Sequence, residues 1–302
     1  MINIYIFIYK NKLRGKMSQQ SSSKQSIIIG ALSGALVLSI GASAFFYFQS
    51  KNQPQVISQE KTSEESKALP LPSKETALKE LFGVSDPSGK VKIASDKLTN
   101  FWFEQSFKVG TNNLHVKFFA TQSLDGTGNP YDSHATSLEV GAITYKQNSN
   151  QWEVISKQPQ FGSAGTWGML SEAKPVALHL SKTSLAFTLD QSYSGQGHSE
   201  EGKILFVFSQ NSWHDVGFIK TGGENSGDCE DTPPAPGEEF SLGPCFKYKG
   251  VISVANGSTS EYPDLLVTRT GTENKEHRGA LIPAKNVTYI FKEGKYINPN
   301  EL

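Results

Sequence analysis

Six histidines, at positions 115, 134, 179, 198, 214 and 277, supply the chain's candidate bases and nitrogen ligands, and they are scattered. None belongs to a His-Glu-x-x-His pair, the spacing that places two imidazoles on one helix face for zinc. His115 and His179 alternate with apolar neighbours in extended runs, so they read as outward-facing strand residues. His198 differs: it lies in SGQGHSEE, residues 194–201, a glycine-rich stretch that reads as a loop with Glu200 beside it. Glycine-rich loops on a rigid scaffold are places where ligands are held. His198 and Glu200 are therefore candidate ligand-binding residues. A second glycine-rich run, FGSAGTWG at 161–168, lacks the strand-to-helix setting of a phosphate cradle. It reads as a loop in which Trp167 covers part of the core or a shallow surface groove, and Trp167 is the third ligand-binding candidate.

Two acidic loops have the oxygen ligands that calcium wants, although neither has EF-hand spacing. One offers Asp125, Asn129 and Asp132; the other offers Glu224, Asp228, Glu230 and Asp231. The Asp125 loop is the candidate metal site. No nucleophile elbow and no phosphate-binding glycine loop with lysine occurs, and no motif calls for a cofactor. The two cysteines, Cys229 and Cys245, bracket a proline- and glycine-rich run without a Cys-x-x-Cys partner set. An even pair around a loop, outside the cytoplasm, reads as a disulfide.

The elements that must position these groups begin with an anchor. Residues 27–48, IIIGALSGALVLSIGASAFFYF, carry no charge and as a helix would extend roughly 33 Å, enough to cross a bilayer. Lys10, Lys12, Arg14, Lys16 and Lys24 precede it, and acidic residues appear only after it. The positive-inside rule then puts residues 1–26 in the cytoplasm and everything past 48 outside. Ala42-Ser43-Ala44 has the small-x-small form of a signal-peptide cleavage site, but the apolar run continues to Phe48, which favours a retained anchor. No cysteine lies near it to take a lipid. Met17, ahead of a polar serine-rich run, reads as the more ordinary translation start.

Residues 49–74 are polar, proline-containing and free of aromatics, the composition of a flexible stalk. Residues 75–82 read as a short helix stopped by Gly83 and docked on the start of the β domain, with a lead-in to residue 98. From 99 to 302 the pattern is strands and turns. Candidate strands fall at 114–121, 138–146, 152–156, 177–180, 185–189, 204–208, 213–219, 248–254, 265–269 and 287–291. Three of them, at 114, 185 and 265, each precede a hairpin whose second strand opens on Trp152, Trp213 or Tyr296. That is the pattern of one three-stranded unit used three times. The expected fold is all-β, a mainly antiparallel sandwich or blade-like sheet domain. The formal net charge is zero, which removes the case for nucleic acid. The expected protein is single-pass and membrane-anchored through residues 27–48. Its extracytoplasmic β module would bind an envelope protein or glycan without catalysis; the alternative is an envelope hydrolase with dispersed carboxylates and histidines.

Overall fold

Ser73 begins the α-helix that the sequence pattern anticipates. Its hydroxyl accepts from the Thr76 N–H at 3.0 Å, and α1 (Lys74–Phe82) ends at Gly83 in the left-handed region, φ 76°. Nine residues are too few to hold a helix alone in water. Docking holds it: Ala77, Leu78 and Leu81 are buried against Phe119, Ile143 and Tyr145. In this computed structural model the described residues are 69–131, 133–230, 242–255, 259–275 and 279–301. The expected cytoplasmic tail, membrane helix at 27–48 and stalk as far as residue 68, together with Asp132, Asp231 and His277, lie outside them. Among the described residues no helix is long and apolar enough to cross a membrane.

Everything else is mainly antiparallel β-structure in two sheets. The first has β1 (Lys90–Ala94), β2 (Lys97–Val109), β3 (Asn112–Ser123), β4 (Leu138–Asn148) and β5 (Gln151–Ala164), in that spatial order. The second begins with β6 (Val176–His179), β7 (Leu185–Gly195), β8 (His198–Ser209), β9 (Ser212–Glu224) and β10 (Lys247–Val254). It continues with β11 (Leu265–Asn274), β12 (Leu281–Pro283), β13 (Val287–Lys292) and β14 (Lys295–Ile297). Its order is β14-β13-β11-β10-β9-β8-β7-β6, with β12 against β11.

Each expected strand has its counterpart, and the sheet starts earlier than residue 99, with β1 and β2. The period of β2 is broken by a bulge at Trp102, which lies between the pairs Phe101–Phe119 and Phe103–Phe118. A bulge puts two successive residues against one partner, so alternation fails there. The three units do exist as meanders, β3-β4-β5, β7-β8-β9 and β11-β13-β14. They are not separate blades, because β10 joins the second and third into one continuous sheet.

The two sheets pack face to face. Phe107, Val116, Phe118 and Val140 from the first meet Phe187, Phe206, Phe208 and Trp213 from the second. Trp213 stacks on Phe187 at 5.5 Å, and its indole N–H donates to Thr144 Oγ1 at 2.8 Å. Gln158 on β5 clamps the Trp213 backbone from both sides, accepting from its N–H at 2.7 Å and donating to its carbonyl at 3.0 Å. The outer face of the first sheet is covered by α1. The outer face of β7–β9 is covered by the curl of the second sheet, where Val216, Ile219, Val267, Tyr289 and Tyr296 pack together. Strands β3 and β8 are consequently buried on both faces, which is why their apolar runs, VKFFA and ILFVF, are nearly continuous.

The β7–β8 connection corrects one expectation. Residues 194–201 form no loop: the strands run on to Gly195 and His198 and turn through Gln196 (φ 52°) and Gly197 (φ 80°). Two residues with positive φ give a tight hairpin whose twist matches the strands. Gly197 is also packed backbone to backbone, its carbonyl accepting from Gly227 N–H at 3.0 Å. A Cβ there would sit 2.5 Å from the Cβ of Asp228.

Candidate functional site

Among the concave sites on the second sheet, one lies around Trp167 and one around His198. The structure thus separates Trp167 from His198 and Glu200. Cavity volume is about 570 Å³ at the first and about 340 Å³ at the second.

The Trp167 groove is made where the chain leaves the first sheet for the second. Thr166 and Met169 exchange backbone hydrogen bonds of 3.1 and 2.9 Å, so Trp167 and Gly168 form the tip of a tight turn, both with positive φ. Positive φ is disfavoured for a bulky residue and persists only when the surroundings fix it. Here Gly168 N–H donates to Thr136 O at 2.9 Å and Gln122 Nε2 donates to Gly168 O at 3.2 Å. Gly165 N–H donates to Gln191 Oε1 at 3.0 Å, tying the turn to β7. The turn leaves the Trp167 indole 54% exposed, with Met169 beside it at 65%, whereas Trp213 is fully buried. His134, from the β3–β4 loop, leans on the indole at 5.7 Å. Below this rim the floor is polar: Asp190 and Ser192 from β7, and Glu201 and Lys203 from β8. Asp190 and Lys203 form an ion pair across the strands.

The His198 pocket lies beside the disulfide that joins Cys229 to Cys245. His198 and Glu200 line it from β8, Lys220 and Glu224 from β9, and Glu273 and Asn274 from the end of β11. Asp228 precedes Cys229 and Phe246 follows Cys245, so the bridge fixes two facing walls. His198 Nε2 stands 3.5 Å from the Asp228 carboxylate, and Phe246 stacks on Tyr248 at 6.2 Å. Glu200 bonds Lys220, and Glu224 bonds Lys247. Burial pulls the Lys220 ammonium down, but the Glu200 bond and the surrounding charges outweigh it and leave it above the ordinary lysine value. The Lys247 bond holds Glu224 below the usual carboxylate range. Two buried polar atoms here have no hydrogen-bond partner among the described residues, Arg269 Nε and Asn274 Oδ1.

The Asp125 loop is organised by its own donors. Asp125 Oδ1 accepts from Thr127 N–H (2.8 Å), Thr127 Oγ1 (2.7 Å) and Asn129 N–H (2.9 Å), and these bonds hold its carboxyl low. Asn129 turns its amide to Thr127 Oγ1 at 2.9 Å. No group of three His, Cys, Asp or Glu side chains among the described residues is placed to hold a metal.

His115 corrects a further expectation: it is buried, at 1% exposure, under α1 and its neighbours. Its Nδ1 is 3.0 Å from Ser106 Oγ and its Nε2 is 3.4 Å from Glu104. Burial pushes its pKa down to about 4. Lys117, 2% exposed, shares Glu104 as an ion-pair partner, yet burial and the Lys74 charge still push it down to about 8. Tyr145 OH and Trp152 Nε1 are buried nearby without a partner among the described residues. The cluster belongs to the packing between helix and sheet.

Sequence reasoning found one wall of each site and missed the other. Phe246 and Tyr248 follow Cys245, and that adjacency was the available signal; Glu224 and Asp228 belong to the second acidic loop that the sequence singles out, and the structure brings them into this pocket. Asp190, Glu201 and Lys203 sat in what looked like loop. Comparison with protein-family models, with curated proteins and with solved structures returns no match. The functional reading therefore rests on the geometry.

Proposed function

We propose that the chain is a single-pass, membrane-anchored envelope protein whose β-sandwich, held outside the cytoplasm, binds a glycan strand in the Trp167 groove. The carrying observation is the half-exposed Trp167 indole, fixed at a left-handed backbone position above a floor of carboxylate, hydroxyl and ammonium groups. An aromatic face supplies apolar contact to the C–H face of a sugar ring at low conformational cost. The floor supplies partners for its hydroxyls. The uncharged run at 27–48 with its basic flank, and the disulfide, support the anchored and exported setting.

The test is affinity electrophoresis of the full chain in soluble envelope polysaccharides, with Trp167→Ala beside it. Retardation of the wild type, lost in Trp167→Ala at unchanged melting temperature, supports the reading. Equal retardation of both removes it. Asp190 and Glu201, lining one groove, favour a second reading, a hydrolase that uses such carboxylates. Release of reducing ends from the same polysaccharides would select that reading over the non-catalytic one. Fractionation with thiol labelling tests the setting: membrane retention, and labelling of Cys229 and Cys245 only after reduction, are expected.

A further inference from the structure

We infer, resting on the glycan reading of the Trp167 groove, that the bound strand continues over the 166–169 turn into a second cavity, and that this cavity takes an uncharged, N-acetylated sugar unit.

The second cavity, of about 310 Å³, lies at one end of the first sheet. Asn100 and Trp102 line it from β2, Gln122 from the end of β3, and Leu138 from the start of β4. Met169 and Leu170 close it, and the same two residues line the Trp167 groove. The turn is thus a wall common to both cavities, and a strand laid in one crosses it to enter the other.

Trp102 reaches the cavity through the bulge in β2. A bulge re-aims a side chain out of the strand's alternation. Trp102 and Phe103, successive residues, both pack on the sandwich core, ring edge to ring face at 4.7 Å, and Trp102 meets Phe118 at 6.3 Å. These contacts hold the indole in place before any ligand arrives. Its Nε1 has no hydrogen-bond partner among the described residues and, unlike that of Trp152, keeps some exposed surface. Gln122 donates Nε2 to Gly168 O at 3.2 Å and keeps Oε1 free, and the Asn100 amide is unbonded among the described residues.

The chemistry of this lining selects the unit. No charged side chain among the described residues lines the cavity. A carboxylate or ammonium on the sugar would lose hydration there without gaining a counter-charge. An acetamido group fits what is present. Its N–H finds acceptors in Gln122 Oε1 and Asn100 Oδ1, its carbonyl finds donors in Trp102 Nε1 and Asn100 Nδ2, and its methyl finds Leu138 and Leu170. A hydroxyl in the same place would leave the apolar wall uncovered. The volume stands at the low end for ligand cavities and suits one unit of a longer strand.

The experiment is isothermal titration of the full chain in detergent with three hexamers of one linkage. Chitohexaose carries acetamido groups, cellohexaose carries hydroxyls in their place, and the fully deacetylated chitosan hexamer carries ammonium groups. Chitohexaose should bind at least about tenfold tighter than either of the others. Asn100→Ala and Trp102→Phe should each bring it towards the cellohexaose affinity, and Trp167→Ala should weaken both. Trp102→Phe keeps a ring against Phe118 and removes only the N–H donor's side of the indole; melting temperatures show whether either variant disturbs the fold. Equal or tighter binding of cellohexaose or the chitosan hexamer overturns the inference. So does full preference in both Asn100→Ala and Trp102→Phe, or chitohexaose binding untouched by Trp167→Ala. If no hexamer binds while envelope polysaccharide still retards the wild type, the N-acetyl subsite falls and the glycan reading stands. If polysaccharide fails to retard it as well, both fall.

Discussion

His115 should make the fold acid-sensitive in a defined window. The imidazole is sealed at 1% exposure between Ser106 and Tyr145, its cross-strand neighbours, with Trp152 5.9 Å away. Among the described residues one carboxylate reaches it, Glu104, which is already held by the Lys117 ammonium, itself a like charge to any imidazolium. Burial sets the folded pKa at about 4, against an ordinary value of 6.5. The unfolded chain therefore binds more protons than the folded one between these values, and stability falls as pH falls through that window. Linkage puts the loss at about 2 kcal/mol by pH 5 and about 3 kcal/mol by pH 4. The contribution is fully present above about pH 7 and is exhausted below about pH 3. Urea unfolding of wild type and His115→Gln, at pH 7, 6, 5 and 4, reads it directly. Gln can keep a hydrogen bond to Ser106 but cannot titrate. The wild-type curve should fall relative to the variant by those amounts, whatever the carboxylates do to both. Parallel curves would refute the argument that burial, with no available counter-charge, sets this histidine.

The same cluster gives an opposite pair of effects. Lys117→Met should be neutral or stabilising at pH 7, because it removes a buried ammonium that burial disfavours. Glu104→Gln should cost about 3 kcal/mol by stranding that ammonium, both read by urea unfolding. Gly197→Ala should lower the melting temperature and disturb the 227–228 turn. A methyl group there meets backbone and Cβ at 2.5–2.7 Å and must take φ near 80°; thermal unfolding of the variant measures it. Reducing Cys229–Cys245, which are 16 positions apart, should cost roughly 3 kcal/mol on the chain-entropy account, read by unfolding with and without reductant.

What was legible in the sequence was local. Gly83 marked the end of α1, and ten apolar runs marked ten strands, because caps and periodicity depend on near neighbours. The cysteine pair was legible for the same reason. What escaped reading depended on a second layer. In NLHVKFFAT the alternation gives Leu114, Val116 and Phe118 to one face, leaving His115 and Lys117 to what looks like solvent. The side chains of α1 and its neighbours close that face, and nothing within the strand announces it. The hairpin at 196–197 escaped because its polar strands continue beyond the sandwich core, where no burial imposes a pattern. The two sites were half visible for a related reason. His198 and Glu200 share a short stretch, but Asp228, Phe246 and Asn274 reach them only through the disulfide and the β10–β11 pairing.

The sheet borders at β1, β5, β6 and β14 bear on how copies of this chain behave when crowded. The central strands β3 and β8 are buried on both faces and carry long apolar runs, which would make them strong templates for aggregation if exposed. The borders are built differently. β1 presents Lys90 and Lys92, β5 carries Pro159 where its register shifts, and β6 and β14 are only four and three residues long. Lysines, a proline with its bulge, and brevity are each a recognised means of blunting an open edge. Neighbouring copies packed at high density would therefore meet border to border without adding strands to one another's sheets.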